Sequence, residues 1–465
     1  MGRPARGPAR RETRLLRAGD GDRPLGLAAA TSLVVGGVVG IGIFLTPVEM
    51  ACSLASPGWV FAMFGITGLM AACGALCYGE LAARFPEAGG PYVYLRSAYG
   101  GGVAFLYGWQ CLLVMDPGLT AALAVGSAQY AAYLTPLSPR GETSLAMALI
   151  LLLAVLTALG TRLAAGVLVV LTLLKVGALL AIVGWGFLSG AADAGRLTPL
   201  FARGAAAEPL AAGLAGGFVS AFFCYGGWWE ASKMAGEVRR PARTLPLAFV
   251  GGVATVAALY IAASAVFLAV LPPGEAASPE LTAPLLGERL FGPAGGRILA
   301  ATVLLSAVGS LAAVVLASPR LYVALAADGL FPKPFGTPSR RLRTPLAAIA
   351  VQASLACTLV VLGTFGGIVA YFVFTTVVFV TLSVASIFVL PAPPTGSFRA
   401  PGRRSIAGLF IALAAVVLVL VAAGRPVSAA AGAVVVAFGI PVYAVLRWRS
   451  TQTRPVGSGL RRKGP

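Results

Sequence analysis

The chain has 465 residues, 58% of them hydrophobic and only 11% charged. Soluble domains carry about 25% charged residues, so a water-soluble protein is excluded. A membrane-spanning helix uses roughly 20 apolar residues and twelve use ~240, which leaves chain for short loops and two tails but not for a second folded domain.

Lys plus Arg outnumber Asp plus Glu by 35 to 16, a net charge of +19. In a soluble protein that excess would point to nucleic acid. Here its placement counts for more. Residues 1–24 hold seven arginines with little apolar content, and an anionic inner leaflet accounts for such a tail more simply, so the lipid bilayer is the expected partner and no nucleic acid. Histidine is absent, which removes the usual neutral-pH base, the commonest metal ligand and any Ser-His or Cys-His pairing. Cys52, Cys73, Cys77, Cys111, Cys224 and Cys357 lie in or beside apolar runs, without metal spacings, and are expected as free thiols. No metal, cofactor or catalytic residue is expected.

The first long apolar stretch has no small-residue cleavage signature and outruns a signal peptide, so it is expected to be retained as a span. Hydropathy then predicts twelve helices, near 27–50, 58–82, 102–134, 143–160, 163–189, 211–233, 246–271, 297–326, 345–363, 367–390, 405–423 and 427–447. With the N-terminus cytoplasmic, the inner segments receive Arg84, Arg96, Arg162, Lys233, Arg239, Arg240, Arg243, Arg320, Lys333, Arg340, Arg341, Arg343, Arg399, Arg403 and Arg404. The outer loops receive only Arg140, Arg196, Arg203, Arg289, Arg297 and Arg425. That bias supports both the span count and cytoplasmic placement of both termini.

The first span reads Val35-Gly36-Gly37-Val38-Val39-Gly40-Ile41-Gly42-Ile43-Phe44, with Pro47 just beyond, and has weak intrinsic reason to stay wound at Gly40 to Gly42. The sixth contains Phe222-Phe223-Cys224-Tyr225-Gly226-Gly227-Trp228-Trp229, with paired glycines near its middle. Either cluster alone suits close helix packing, and Gly36 with Gly40 satisfies a small-xxx-small pattern. Their pairing points elsewhere, because interruptions at corresponding positions of two five-helix halves are the sequence mark of a transporter site, and halves of five spans enter the membrane with opposite orientation.

An unwound segment exposes main-chain groups that hydrocarbon cannot satisfy but a polar substrate can. Amides at Ile41, Gly42 and Ile43 begin a half-helix and suit a carboxylate, while carbonyls freed at Phe222, Phe223 and Tyr225 suit an ammonium. An α-amino acid carries both charges on one carbon. One of the aromatic rings beside the second break is expected either to pack or to close over the substrate.

Few charges remain at depth. Lys175, between Leu173-Leu174 and Val176-Gly177, is expected either to couple transport to an ion and organise the site or to tie down backbone carbonyls. Asp116, followed by Pro117-Gly118, stands at an expected kink and is a candidate substrate or coupling contact; pairing with Lys175, facing a cationic group and lying in a wet vestibule all stay open. Glu230 and Glu237 are expected as solvated or ion-paired charges at the inner end of the sixth span, with proton transfer as the alternative. A channel would need rings of like polar residues, and an embedded enzyme a catalytic cluster at depth; neither is present in the pattern.

At these residues the chain resembles the amino acid-polyamine-organocation superfamily of permeases, and especially its L-type amino acid transporter branch. Gly37-x-x-Gly40-x-Gly42-Ile43-Phe44 with Pro47 is similar to that family's first-helix signature. Cys77-Tyr78-Gly79-Glu80-Leu81-Ala82 and Phe85-Pro86-Glu87-Ala88-Gly89-Gly90-Pro91-Tyr92 resemble its second-to-third-helix stretch, and Tyr225-Gly226-Gly227-Trp228 with Glu237-Val238-Arg239-Arg240-Pro241 its sixth helix and exit loop. Ala317-Ser318-Pro319-Arg320, Asp328-Gly329-Leu330-Phe331-Pro332 and Arg343-Thr344-Pro345 resemble its eighth helix and following loop. The resemblance implies a leucine-transporter-like fold in which Gly40, Ile41, Gly42 and Ile43 hold the substrate carboxylate. It implies that Phe222, Phe223, Tyr225 and Gly226 surround the amine, that Phe223 is the gating ring, and that Lys175 is the ion-coupling lysine of the fifth helix. Ile41 stands where the family has serine or alanine, Trp229 where the L-type branch often has a small polar residue, and Asp116 in a segment without a typical acid; these departures bear on side-chain selectivity.

The expected protein is therefore an all-α membrane protein of twelve transmembrane helices in a 5+5 inverted repeat, with helices 1 and 6 broken. Its parts are a basic cytoplasmic tail at 1–25, a ten-helix transport core at 26–391, two additional helices at 392–448 and a second basic tail at 449–465. The expected function is secondary active, proton-coupled uptake of neutral amino acids across the plasma (inner) membrane by alternating access. Amino acid exchange and cationic amino acid or polyamine antiport are the alternatives, and an accessory subunit is left open.

Overall fold

Hydrocarbon offers no partner to a backbone N–H or C=O, so a chain this apolar satisfies its main chain within helices. The computed structural model describes residues 23–54, 56–201, 209–272, 279–339, 341–342, 344–362, 365–394, 396–424 and 426–452. Most of the first tail, the end of the second, and Arg203, Arg340, Arg343 and Arg425 of the loops lie outside them. Among the described residues the elements are helical throughout apart from an isolated bridge between Leu25 and Val238.

Among the described residues, ten helical segments are long and apolar enough to cross a membrane, and two more apolar helices are shorter. The first segment comprises α1 (Leu27–Val38) and α2 (Gly42–Leu54), and α3 (Pro57–Arg84) returns. After the short α4 (Pro91–Tyr99), the third segment joins α5 (Gly101–Gln110) to α6 (Asp116–Leu134) through a π turn at Cys111–Met115. The turn has a local cause: Pro117 has no N–H to continue the ladder, and the Asp116 N–H reaches back to the Cys111 carbonyl. There follow α7 (Pro139–Leu159), α8 (Thr161–Leu188), α9 (Leu210–Cys224) with the 3-10 helix Trp228–Glu237, and α10 (Pro241–Val270). The remainder comprises α11 (Pro279–Phe291), α12 (Gly295–Ala317), α13 (Pro319–Ala327), α14 (Lys333–Gly336), α15 (Leu346–Leu362), α16 (Phe365–Val389), α17 (Arg403–Gly424) and α18 (Pro426–Gln452).

Helices α1, α6, α10 and α12 form the interior: α10 lies along α3 and α1, and α12 packs against α6 and α8. By contrast α7 and α8 turn Leu152, Val155, Val170 and Leu173 outward, more than half exposed. An apolar face of that extent is stable against lipid and not against water.

Two cations assigned to inner loops by hydropathy are instead buried. Lys233 is fully inaccessible and Arg320 only 3% exposed. The 3-10 helix that carries Lys233 packs against α1, α3, α10, α12 and α13, and acids from other elements pair with both residues. Window hydropathy averages such a polar stretch with its neighbours and cannot register partners distant in sequence.

Candidate substrate site

Helix α1 ends at Val38 and α2 begins at Gly42, with Val39 leaving the helical region at ψ 89°. In the sixth segment α9 ends at Cys224, and the 3-10 helix starts after Gly227, which is left-handed at φ +104°. The two stretches touch. A Cβ at Gly227 would lie 2.9 Å from the Gly37 carbonyl oxygen, and one at Gly37 would lie 3.2 Å from that of Gly227. Side chains at either position would force the segments apart.

The carbonyls at the first interruption are satisfied by side chains from other helices. Lys175 of α8, 1% exposed, donates to the carbonyls of Gly36 and Val39, both at 2.6 Å, with Ser310 Oγ at 3.1 Å and the Ser306 carbonyl at 3.3 Å. Ser310 Oγ lies 2.8 Å from the Gly36 oxygen and 3.0 Å from that of Val39, while Ser306 Oγ is 3.0 Å from Val39 O and 3.1 Å from Gly40 O. The ammonium sits where the partial negative charge of the α1 C-terminus collects. Tyr260 of α10 joins the two segments, its hydroxyl 3.0 Å from Val38 O and 3.1 Å from Cys224 O. Ser306, Ser310 and Tyr260 escaped sequence reasoning; a hydroxyl in an apolar helix was the only available signal, and many such hydroxyls merely bond their own helix four residues back, as Thr67 does to Met63.

Between the segments lies a cavity of about 70 Å3, lined by Gly37, Val38, Gly40, Ile41 and Gly42 on one side and by Phe222, Phe223, Cys224, Gly226, Gly227 and Trp229 on the other. Leu119, Ala122 and Leu123 of α6 and Val373 and Thr376 of α16 complete the wall. Among the described residues, no charged side chain lines it. At ~10–15 Å3 for each water-sized sphere, the space holds about five such groups.

Of the residues expected at the site, Gly40, Ile41, Gly42, Phe222, Phe223 and Gly226 line this cavity, whereas Ile43 and Tyr225 do not. The Ile43 side chain is fully buried, and the Tyr225 ring packs at a tilt against Phe64 and Tyr260. Lys175 stands one layer behind, linked through Ser306 to Gly40. Gly40 thus borders both the cavity and the lysine's acceptor cluster.

Asp116 departs from expectation. It does not line the cavity and it does not meet Lys175. Its Oδ1 lies 2.9 Å from Lys233 Nζ, its Oδ2 accepts from the Tyr322 hydroxyl at 2.7 Å, and it is completely buried. Asp116 directly follows the π turn, and its carboxylate bonds residues of the 3-10 helix and of α13. Glu230, expected at a helix end, is likewise completely buried, with Oε2 2.8 Å from Lys233 Nζ; Glu237 pairs with Arg320 at 2.8 Å.

A bundle of apolar helices that exposes lipid-compatible faces and keeps a small uncharged cavity at its centre is the architecture of a membrane permease. The family described as amino acid permease matches residues 25–446, and the chain belongs to it. The b(0,+)-type amino acid transporter 1 of Mus musculus is 27% identical over 374 residues, 79% of this chain and 76% of the relative; that of Homo sapiens is 28% identical over 372 residues, with the same coverage. The large neutral amino acids transporter small subunit 2 of Mus musculus is 28% identical over 435 residues, 90% of this chain and 80% of the relative. The chain is a transporter of the amino acid-polyamine-organocation superfamily, on its L-type side, and not an enzyme.

Proposed function

We propose that the protein is a secondary active permease of the plasma membrane that carries a neutral α-amino acid, with the zwitterion held between the interruptions of its first and sixth spans. One observation carries this: a cavity bounded by two interrupted helices and, among the described residues, by no charged side chain. Helical N–H groups at the start of α2, around Gly42 and Ile43, have no acceptor within their own helix and lie at a positive dipole end, so they suit the carboxylate. Main-chain oxygens from Phe222 to Tyr225 suit the ammonium. A second positive charge on the substrate would lie unpaired in this cavity, which disfavours arginine and polyamines. Ile41 and Trp229 narrow the space and favour small apolar side chains.

In this reading residues 26–391 form two inverted five-helix halves, 392–448 add two helices, both termini face the cytoplasm, and Phe223 closes over the substrate. Lys175 organises the first interruption as an ammonium where a metal cation would otherwise be needed, and so ties ion coupling to the geometry of Gly40. Uptake is coupled to protons.

Purified protein in liposomes tests this. Radiolabelled neutral amino acids are expected to accumulate under an inward pH gradient and to exchange in counterflow, while arginine and putrescine do not. Uptake strictly dependent on internal amino acid would assign exchange instead. The relative named as a small subunit supports a second reading, in which the permease works with a further subunit; full activity of the purified single chain would exclude it.

A further inference from the structure

Beside the cavity, Lys233 on the 3-10 helix sits between two carboxylates, with Asp116 Oδ1 at 2.9 Å and Glu230 Oε2 at 2.8 Å, and all three side chains are completely inaccessible. The formal charges are one positive against two negative, so the fully ionised cluster carries a net −1. Asp116 has both oxygens engaged, by Lys233 and by the Tyr322 hydroxyl. Glu230 has an oxygen to spare, since Oε1 has no hydrogen-bond partner. Trp229, which lines the substrate cavity, directly precedes Glu230 in the chain, and its buried indole N–H has no hydrogen-bond partner. The other titratable groups facing the cluster are Tyr78 of α3, Tyr107 of α5, Cys111 of the π turn and Tyr322 of α13, all neutral as phenol or thiol.

We propose that Glu230 is the proton-binding site of the transport cycle, poised by Asp116 and Lys233 and linked to the substrate cavity through Trp229. This rests on the permease reading above and locates its proton. Lys175 has four acceptors around it at the first interruption and none from this cluster, and the moving proton is assigned to the carboxylate that has a free oxygen. With one proton added to the Glu230 carboxylate, the cluster sums to zero and can be enclosed dry between helices. With that proton lost to the opposite aqueous phase, it carries −1 and is costly to enclose dry, so the substrate-filled intermediate is occluded only with the proton aboard, while the empty carrier returns with water in the vacated cavity to solvate that charge. Alternating access through that intermediate carries one proton per cycle, and no other bond is made or broken.

Glu230→Gln makes the cluster permanently neutral. For one proton per amino acid, each unit of imposed pH difference drives about tenfold accumulation. The wild type is expected to show that accumulation; Glu230→Gln is expected to lose it and to retain counterflow. By the same charge count Asp116→Asn, which leaves Glu230 and Lys233 balanced without a proton, is expected to behave alike. A Glu230→Gln protein that still accumulates fully would overturn the proposal. So would a wild type that exchanges but ignores the gradient, an outcome that leaves the permease reading intact. Absence of both uptake and counterflow in the wild type would instead sink the permease reading. If neither variant folds, infrared difference spectra of the wild type decide: a protonated-carboxyl carbonyl band that persists at neutral pH supports the assignment, and its absence refutes it.

Discussion

Lys175 and Ser310 converge on the same two carbonyl oxygens. The ammonium is 2.6 Å from both Gly36 O and Val39 O, and the hydroxyl is 2.8 and 3.0 Å from them, with 3.1 Å between the two side-chain groups. They come from α8 and α12, so the end of α1 is held by two helices at once. Buried carbonyls left without partners cost about 1–3 kcal/mol each.

Ser310→Ala is therefore expected to lower stability by ~1–2 kcal/mol, because the lysine remains. Lys175→Ala is expected to cost more and to abolish counterflow as well as gradient-driven uptake. Thermal unfolding in detergent of both variants and the double variant checks the shared-partner geometry, since groups in one network are non-additive by about 0.5–3 kcal/mol. Strict additivity would argue against it.

A methyl group added at Gly42 would lie 2.7 Å from Cys224 Sγ. Gly42→Ala is expected to distort the cavity wall and strongly reduce amino acid binding. Because the obstacle is one sulfur atom, Cys224→Ala should restore part of that loss, its own effect being small. Failure of the double variant to recover any binding would show that the contact with the Cys224 sulfur is not what excludes a side chain at residue 42.

Phe223 lines the cavity and is only partly buried, unlike Phe222. Phe223→Ala is expected to slow transport more than it weakens binding, as removal of a closing ring should. Equilibrium binding measured beside initial uptake rates separates the two effects; equal losses would make the ring a plain contact.

Outside the spans, Tyr92 donates its hydroxyl to Asp328, which also pairs with Arg96. Burial, reinforced by the Asp328 carboxylate, holds the Tyr92 phenol well above the ordinary tyrosine range. A raised folded-state value contributes stability that is complete below the unfolded value of ~10 and is lost as pH climbs through the folded one. The wild type is thus expected to lose thermal stability more steeply than Tyr92→Phe above about pH 10. Parallel melting curves across that window would contradict the contact.

The expected site was legible only in part. Glycines around residues 36–42 and 226–227 announce themselves because they are consecutive in sequence, and the lining of the cavity includes Gly40, Gly42 and Gly226. Tyr225, between the lining residues Cys224 and Gly226, points instead to Phe64 and Tyr260. Adjacency in sequence does not decide which way a side chain faces where a helix is interrupted, because the usual 100° advance per residue no longer holds.

Hydropathy and motif order by themselves determined that this chain is an all-helical membrane protein of the permease class, because transfer into hydrocarbon is a property of each segment and needs no partner. Only the tertiary structure decided where the buried charges go. Asp116 meets Lys233 across 117 positions of sequence, and Lys175 meets Gly36 across 139. A charge enclosed in hydrocarbon is tolerable only in the geometry that neutralises it, and that geometry exists only once the distant helices have packed.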